Sequence, residues 1–129
     1  MTSMGTFDVG AVVHASPAEA WSLLVDTTRW SDWGLSIGAV ESATRYIGPG
    51  SRGRVRIRLG VWLPFEVDDY VEGRRWSWRI AGLPATGHRV EPLEPGTCRV
   101  VFEVPVLAAP YAAVCRLALR RIERALSRR

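Results

Sequence analysis

The stretch "SPAEAWSLLVDTTRWSDWG", Ser16 to Gly34, places three of the chain's six tryptophans in nineteen residues, behind a helix-start signal. Ser16 is a good N-cap residue, Pro17 suits the first helical position, and Glu19 stands where a capping box needs its carboxylate. A helix is therefore predicted to about Val25, with Trp21 beside Leu24 facing a core. A second short helix or turn follows, capped by Thr27 or Thr28, with Trp30 and Trp33 three residues apart on one face and Gly34 ending it.

The segments on either side alternate with period two. Phe7, Val9, Ala11 and Val13 mark a first strand over about residues 6 to 14. After the helices come "VESATRYIG", "GRVRIRLG", "PFEVDDYVEG", "RRWSWRIAG", "TGHRVEPLE" and "GTCRVVFEVPV", six further strands separated by turn residues. In the second of these Val55, Ile57 and Leu59 share one face and Arg54, Arg56 and Arg58 the other, the pattern of a half-buried antiparallel strand. From about Ala109 to Arg128 the period becomes helical, with Tyr111, Cys115, Ala118, Leu119, Ile122 and Leu126 in one stripe. Strands segregated from helices in this order predict an α+β fold: a seven-stranded antiparallel sheet, two short helices after strand 1 and a long C-terminal helix.

A length of 129 residues predicts one domain over 1–129, and 47% hydrophobic with 23% charged residues is an ordinary globular balance. The net charge of +4 comes from arginine alone and is too modest to indicate nucleic-acid binding. Cys98 and Cys115 have no CxxC spacing and are expected to be buried thiols. No apolar run has membrane-span length and no secretory signal is evident, so the expected location is cytoplasmic. No metal-ligand spacing, phosphate loop or nucleophile elbow is present, so no metal or cofactor is expected.

Alternation also selects candidate site residues. Phe65, Val67 and Val71 are expected to point inward, and Asp69 has the same parity; Val90 brings His88 inward on the next-but-one strand. Asp69 and His88 are thus the candidate acid/base pair, whose chemistry suits proton transfer in an aldol-type cyclisation or a dehydration. The arginines of "SRGRVRIRLG" are expected to pair across strands, Arg58 with Glu66, Arg56 with Asp68 and, from the next hairpin, Arg79 with Asp68. The tail arginines, Arg116, Arg120, Arg121, Arg124, Arg128 and Arg129, read as a solvated helix face.

The order of elements, with "VHASPAEAWSLLVDTTRWSDW", "GRRWSWRIAG", "GHRVEPLEPGTCRVVFEV" and the terminal helix, resembles the polyketide cyclase/dehydratase branch of the START-related superfamily. That resemblance implies a helix-grip fold, in which a curved sheet grips the C-terminal helix around a cavity for an apolar molecule. The expected function is binding of a small hydrophobic, aromatic or polyketide-like, ligand by a monomer or homodimer. Its walls would be Val55, Ile57, Leu59 and Val67, the sheet aromatics Trp76, Trp78 and Phe102, and Cys115, Leu119 and Ile122 of the helix. Trp33, Leu35, Ile37, Trp62 and the segment Gly82 to Pro84 are candidates for its rim. Alternatives are a cyclase or dehydratase using Asp69 and His88, and a regulatory or co-chaperone-like module acting through its outer surface.

Overall fold

In the computed structural model, which describes residues 5–34, 37–57 and 59–127, every expected element is present. Strand β1 (Thr6–Val13) leads into α1 (Pro17–Val25), a 3₁₀ turn (Thr27–Arg29) and α2 (Trp30–Trp33). Strands β2 (Ile37–Ser42), β3 (Arg52–Ile57), β4 (Trp62–Val71), β5 (Arg75–Ile80), β6 (Leu83–Pro92) and β7 (Cys98–Pro105) follow. A 3₁₀ segment (Val106–Tyr111) then joins α3 (Ala112–Ser127). The sheet is antiparallel throughout, in the order β1-β7-β6-β5-β4-β3-β2, so the two short helices carry the chain from one sheet edge to the other.

The capping box forms as the sequence requires: Glu19 N–H donates to Ser16 Oγ and Ser16 N–H to Glu19 Oε1. Helix α3 lies against β1, β7, α1 and α2. It buries Ala112, Cys115, Ala118, Leu119, Ile122 and Leu126 and exposes Arg116, Arg120, Arg121 and Arg124, while Arg128 and Arg129 lie outside the described residues. The helix begins later than its periodicity suggests, because Pro110 belongs in a first turn and the chain before Ala112 is 3₁₀.

Three expectations about the strands are corrected. The "VESATRYIG" run leaves the sheet after Ser42, because the end of α1 captures it: Thr27 N–H and Thr27 Oγ1 donate to Arg45 O at 2.8 and 2.7 Å, and Ile47 N–H donates to Val25 O at 3.0 Å. The β3–β4 hairpin turns earlier than expected, at Gly60, whose φ of 84° suits the reversal. Arg52 therefore faces Glu66, Arg56 faces Trp62, and Leu59 is in the turn, 86% exposed; Arg58 lies outside the described residues. Trp62 consequently sits on the convex face, with the Arg54 and Arg56 guanidiniums 4.8 and 5.8 Å from its ring centroid, and is not a rim aromatic. The Arg79–Asp68 pair forms as expected, at 3.5 Å.

Asp69 carries the third correction. A bulge between Val67 and Asp69 inserts one residue opposite β5 and reverses the inside/outside parity of the rest of β4. Tyr70 thus packs against the core, while Asp69 is on the convex face, paired with Arg75. That face carries an ion network centred on buried Glu103, which receives Arg75 Nη2 at 2.6 Å and Arg89 Nη1 at 2.9 Å; Arg89 also reaches Asp8 at 2.8 Å. Gly87 makes room for it, since a Cβ there would stand 2.5 Å from Glu103 Oε1.

The seam between α1 and residues 44–47 is held by Asp26, which is buried. It accepts from Thr28 N–H at 3.0 Å, Thr28 Oγ1 at 2.6 Å and Arg45 Nη2 at 2.9 Å. Burial opposes its charge, but the hydrogen bonds from Arg45 and Thr28 prevail and hold its pKa below the ordinary carboxylate value. Replacing Asp26 by Ala removes these charge-assisted hydrogen bonds, and urea denaturation at neutral pH should show a loss of about 1–3 kcal/mol. An unchanged midpoint and slope would contradict this role for the seam.

Candidate functional site

The concave face is filled mainly by aromatic rings. Trp30, fully buried, stacks on Trp76 with centroids 5.5 Å apart and planes 13° apart, and meets Phe65 and Trp78 edge-on. Trp76 stacks in turn on His88 at 4.0 Å, and Trp33 meets His88 and Phe102 edge-on at 6.1 and 5.7 Å. The rings of α2 are placed by hydrogen bonds as well as packing: Trp30 Nε1 donates to Leu24 O at 2.9 Å and Trp33 Nε1 to Leu23 O at 3.4 Å. Trp21 stands apart, donating to Glu72 and meeting Tyr70 edge-on.

This packing nearly closes the space between sheet and helix. Among the described residues, a void of about 30 Å³ lies there, bordered by Trp33, Ile37, Trp78, His88, Phe102 and Cys115, among others. It has room for a water molecule or two and not for an aromatic ligand. Val55, Val67, Trp76, Leu119 and Ile122, also expected as cavity walls, are core residues that do not border it. Leu35 lies outside the described residues.

At the open end of the grip there is a larger space, a groove of about 430 Å³. Ile57 and Leu59 form one wall, Ile80, Pro84 and Ala85 of the β5–β6 hairpin another, and Pro105, Ala108 and Tyr111 the third. Trp78, Thr86 and Tyr111 border both the groove and the inner void. The hairpin is sharp because Ala81 and Gly82 both take positive φ, 53° and 78°, as a two-residue turn of this hand requires. Leu59 thus does reach a ligand-sized space, but at the surface. Pro84, from the third expected rim segment, lies on the groove wall, whereas the Thr86 contribution was missed although it shares parity with His88 and Val90.

Among the described residues, no carboxylate or basic side chain lines the groove. A wider depression on the convex face, about 540 Å³, surrounds Trp62 and the Glu41–Arg54 ion pair and has no such apolar walls. His88 is on the concave side as expected, and Asp69 is on the other face of the sheet, so the two form no acid/base pair. Both His88 ring nitrogens are engaged: Nδ1 is 3.3 Å from Trp76 O and Nε2 is 2.9 Å from Thr86 Oγ1. A carbonyl can only accept, so Nδ1 carries the hydrogen and Nε2 accepts from the Thr86 hydroxyl. Trp78 Nε1 donates to the same Thr86 oxygen at 3.1 Å. Among the described residues, Trp76 Nε1 is the buried side-chain donor left without an acceptor.

Among the described residues no group of three or more His, Cys, Asp or Glu side chains gathers to hold a metal, and no helix is long and apolar enough to cross a membrane. Burial raises the pKa of both free thiols, Cys115 to about 11.

Comparison with known proteins agrees with this architecture. The family model described as polyketide cyclase / dehydrase and lipid transport matches residues 4–128, and the chain belongs to that family. XoxI from Bacillus cereus shares the fold, with a TM-score of 0.74, 14% identity and 95% coverage of each chain. DynU16, from the dynemicin biosynthetic locus, aligns at TM-score 0.71 and 20% identity over 95% of this chain and 47% of its own. The Aha1 dimer from Colwellia psychrerythraea aligns at 0.69 and 16%, over 94% of this chain and 95% of that one. At these identities the likeness is one of fold. No curated protein matches the sequence.

Burial pushes the pKa of His88 down to about 3, against smaller opposing effects of the Trp76 carbonyl and Glu103. The unfolded chain takes up that proton near pH 6.5 and the folded chain does not, so His88 makes stability fall as pH drops below about 6.5. Between pH 6.5 and 5, above the range in which Asp26 and Glu103 lose their advantage, the slope should approach about 1.4 kcal/mol per pH unit. Urea titrations across this window should show that slope, and His88→Gln should flatten it while lowering overall stability. An equal slope in the variant would refute the assignment.

Proposed function

We propose that this protein binds a small, flat, apolar molecule in the groove at the open end of the grip, against the edge of Trp78. The groove itself carries the reading: a ligand-sized apolar space whose walls come from three separate parts of the chain. Family membership supports ligand binding in general. Binding is favoured over cyclase or dehydratase chemistry because the described residues of the groove walls include no acid or base.

A two-ring aromatic compound would remove about 400 Å² of apolar surface from water, counting both partners, worth about 10 kcal/mol. Association itself costs at least about 4 kcal/mol, which leaves a Kd on the order of 10–100 μM. Calorimetric titration with naphthalene derivatives should give saturable one-site binding in that range. Ala108→Trp fills the groove from its outer wall and should weaken binding at least tenfold with little change in Tm. Absence of saturable binding, or equal binding by Ala108→Trp, would overturn the reading.

A further inference from the structure

Resting on the groove reading, we propose that Thr86 selects the ligand by polarity: the site prefers molecules presenting a hydroxyl donor, as a phenol does, over the same ring system bearing only an acceptor.

The hydrogens around one oxygen decide the preference. Thr86 Oγ1 has one hydrogen to give and two lone pairs to offer. Its hydrogen is committed to His88 Nε2 at 2.9 Å, because Nδ1 must keep the ring hydrogen to reach Trp76 O. One lone pair is taken by Trp78 Nε1, a group that can only donate, at 3.1 Å. What Thr86 retains is a single lone pair, at a residue bordering both the groove and the inner void. Toward a ligand it is therefore an acceptor and nothing else.

Turning the hydroxyl hydrogen outward to meet a ketone or ether would leave His88 Nε2 without a donor in a fully buried position, a penalty that cancels the new bond. Because His88 stays neutral well below physiological pH, the direction of the chain Trp78→Thr86→His88→Trp76 O does not reverse under ordinary conditions. The relay thus fixes the sense of a polar contact in a groove whose remaining described walls are almost entirely apolar. A threonine and a histidine on the concave face of one strand satisfy each other, and one lone pair remains.

The test compares three probes of one shape on the wild-type protein by calorimetry: naphthalene, 2-naphthol and 2-methoxynaphthalene. The expected result is that all three bind and that 2-naphthol binds about three- to tenfold more tightly than 2-methoxynaphthalene, the usual worth of one hydrogen bond. Equal affinities of 2-naphthol and 2-methoxynaphthalene would overturn the selectivity while leaving the groove reading standing. No binding by any of the three would overturn both. Two variants locate the effect: Thr86→Ser should keep the preference and Tyr111→Phe should keep it too. A preference lost in Tyr111→Phe would move the polar contact to that hydroxyl and refute the role of Thr86.

Discussion

Two indole N–H groups close the end of α1, and the interior is arranged around them. A helix leaves its last carbonyls without internal partners, and here those of Leu24 and Leu23 are taken by Trp30 and Trp33 of the next helix. Val25 O is taken by Ile47 N–H and the junction residue Asp26 by Arg45. The connection between the sheet's two edges is thereby fixed in angle, and α2, a single turn with no stability of its own, is anchored by its side chains. Once Trp30 and Trp33 are held at this height, Trp76, Trp78 and His88 have only the remaining volume, and they fill it as an interlocked set of stacked and edge-on rings.

The two faces of the sheet solve different problems with the same strands. The concave side offers apolar walls to α3 and the short helices, while the convex side, which none of the described helices covers, uses ion pairs. Glu103 lies in the middle of that side, its burial opposed by two guanidiniums that hold its pKa low. The exposed pairs around it contribute only about 0–1 kcal/mol each, while buried Glu103 depends on both guanidiniums to offset its desolvation. They also link adjacent strands: Arg75 of β5 and Arg89 of β6 meet Glu103 of β7 in the observed register.

The elements were legible because their signals are local: the capping box, the arginine-valine alternation of β3 and the helical stripe of α3 each announce themselves within one turn or one strand. The candidate site was legible only in part. His88 kept its parity because β6 around it pairs with β7 without a break. Asp69 lost it because one extra residue between Val67 and Asp69 reverses the pleat, and a bulge has no period of its own to reveal it. Trp62 was misplaced for a related reason, the hairpin turn falling at Gly60 and not farther along. Thr86 was open to the same parity argument as His88 and would have been found by continuing it two residues.

The tryptophans decide how much of the space between sheet and helix stays open. The inner void of about 30 Å³ is too small for an aromatic molecule as Trp33 and Trp78 stand, one held by Leu23 O and the other by Thr86. Displacing either ring would sacrifice a buried hydrogen bond together with contacts to several aromatic neighbours. The ligand-sized apolar space lies outside this packing, where Leu59, in the β3–β4 turn, is 86% exposed. A ligand there would keep one edge in solvent. The helix-grip architecture thus has an aromatic floor between sheet and helix, with the apolar groove lying outside it.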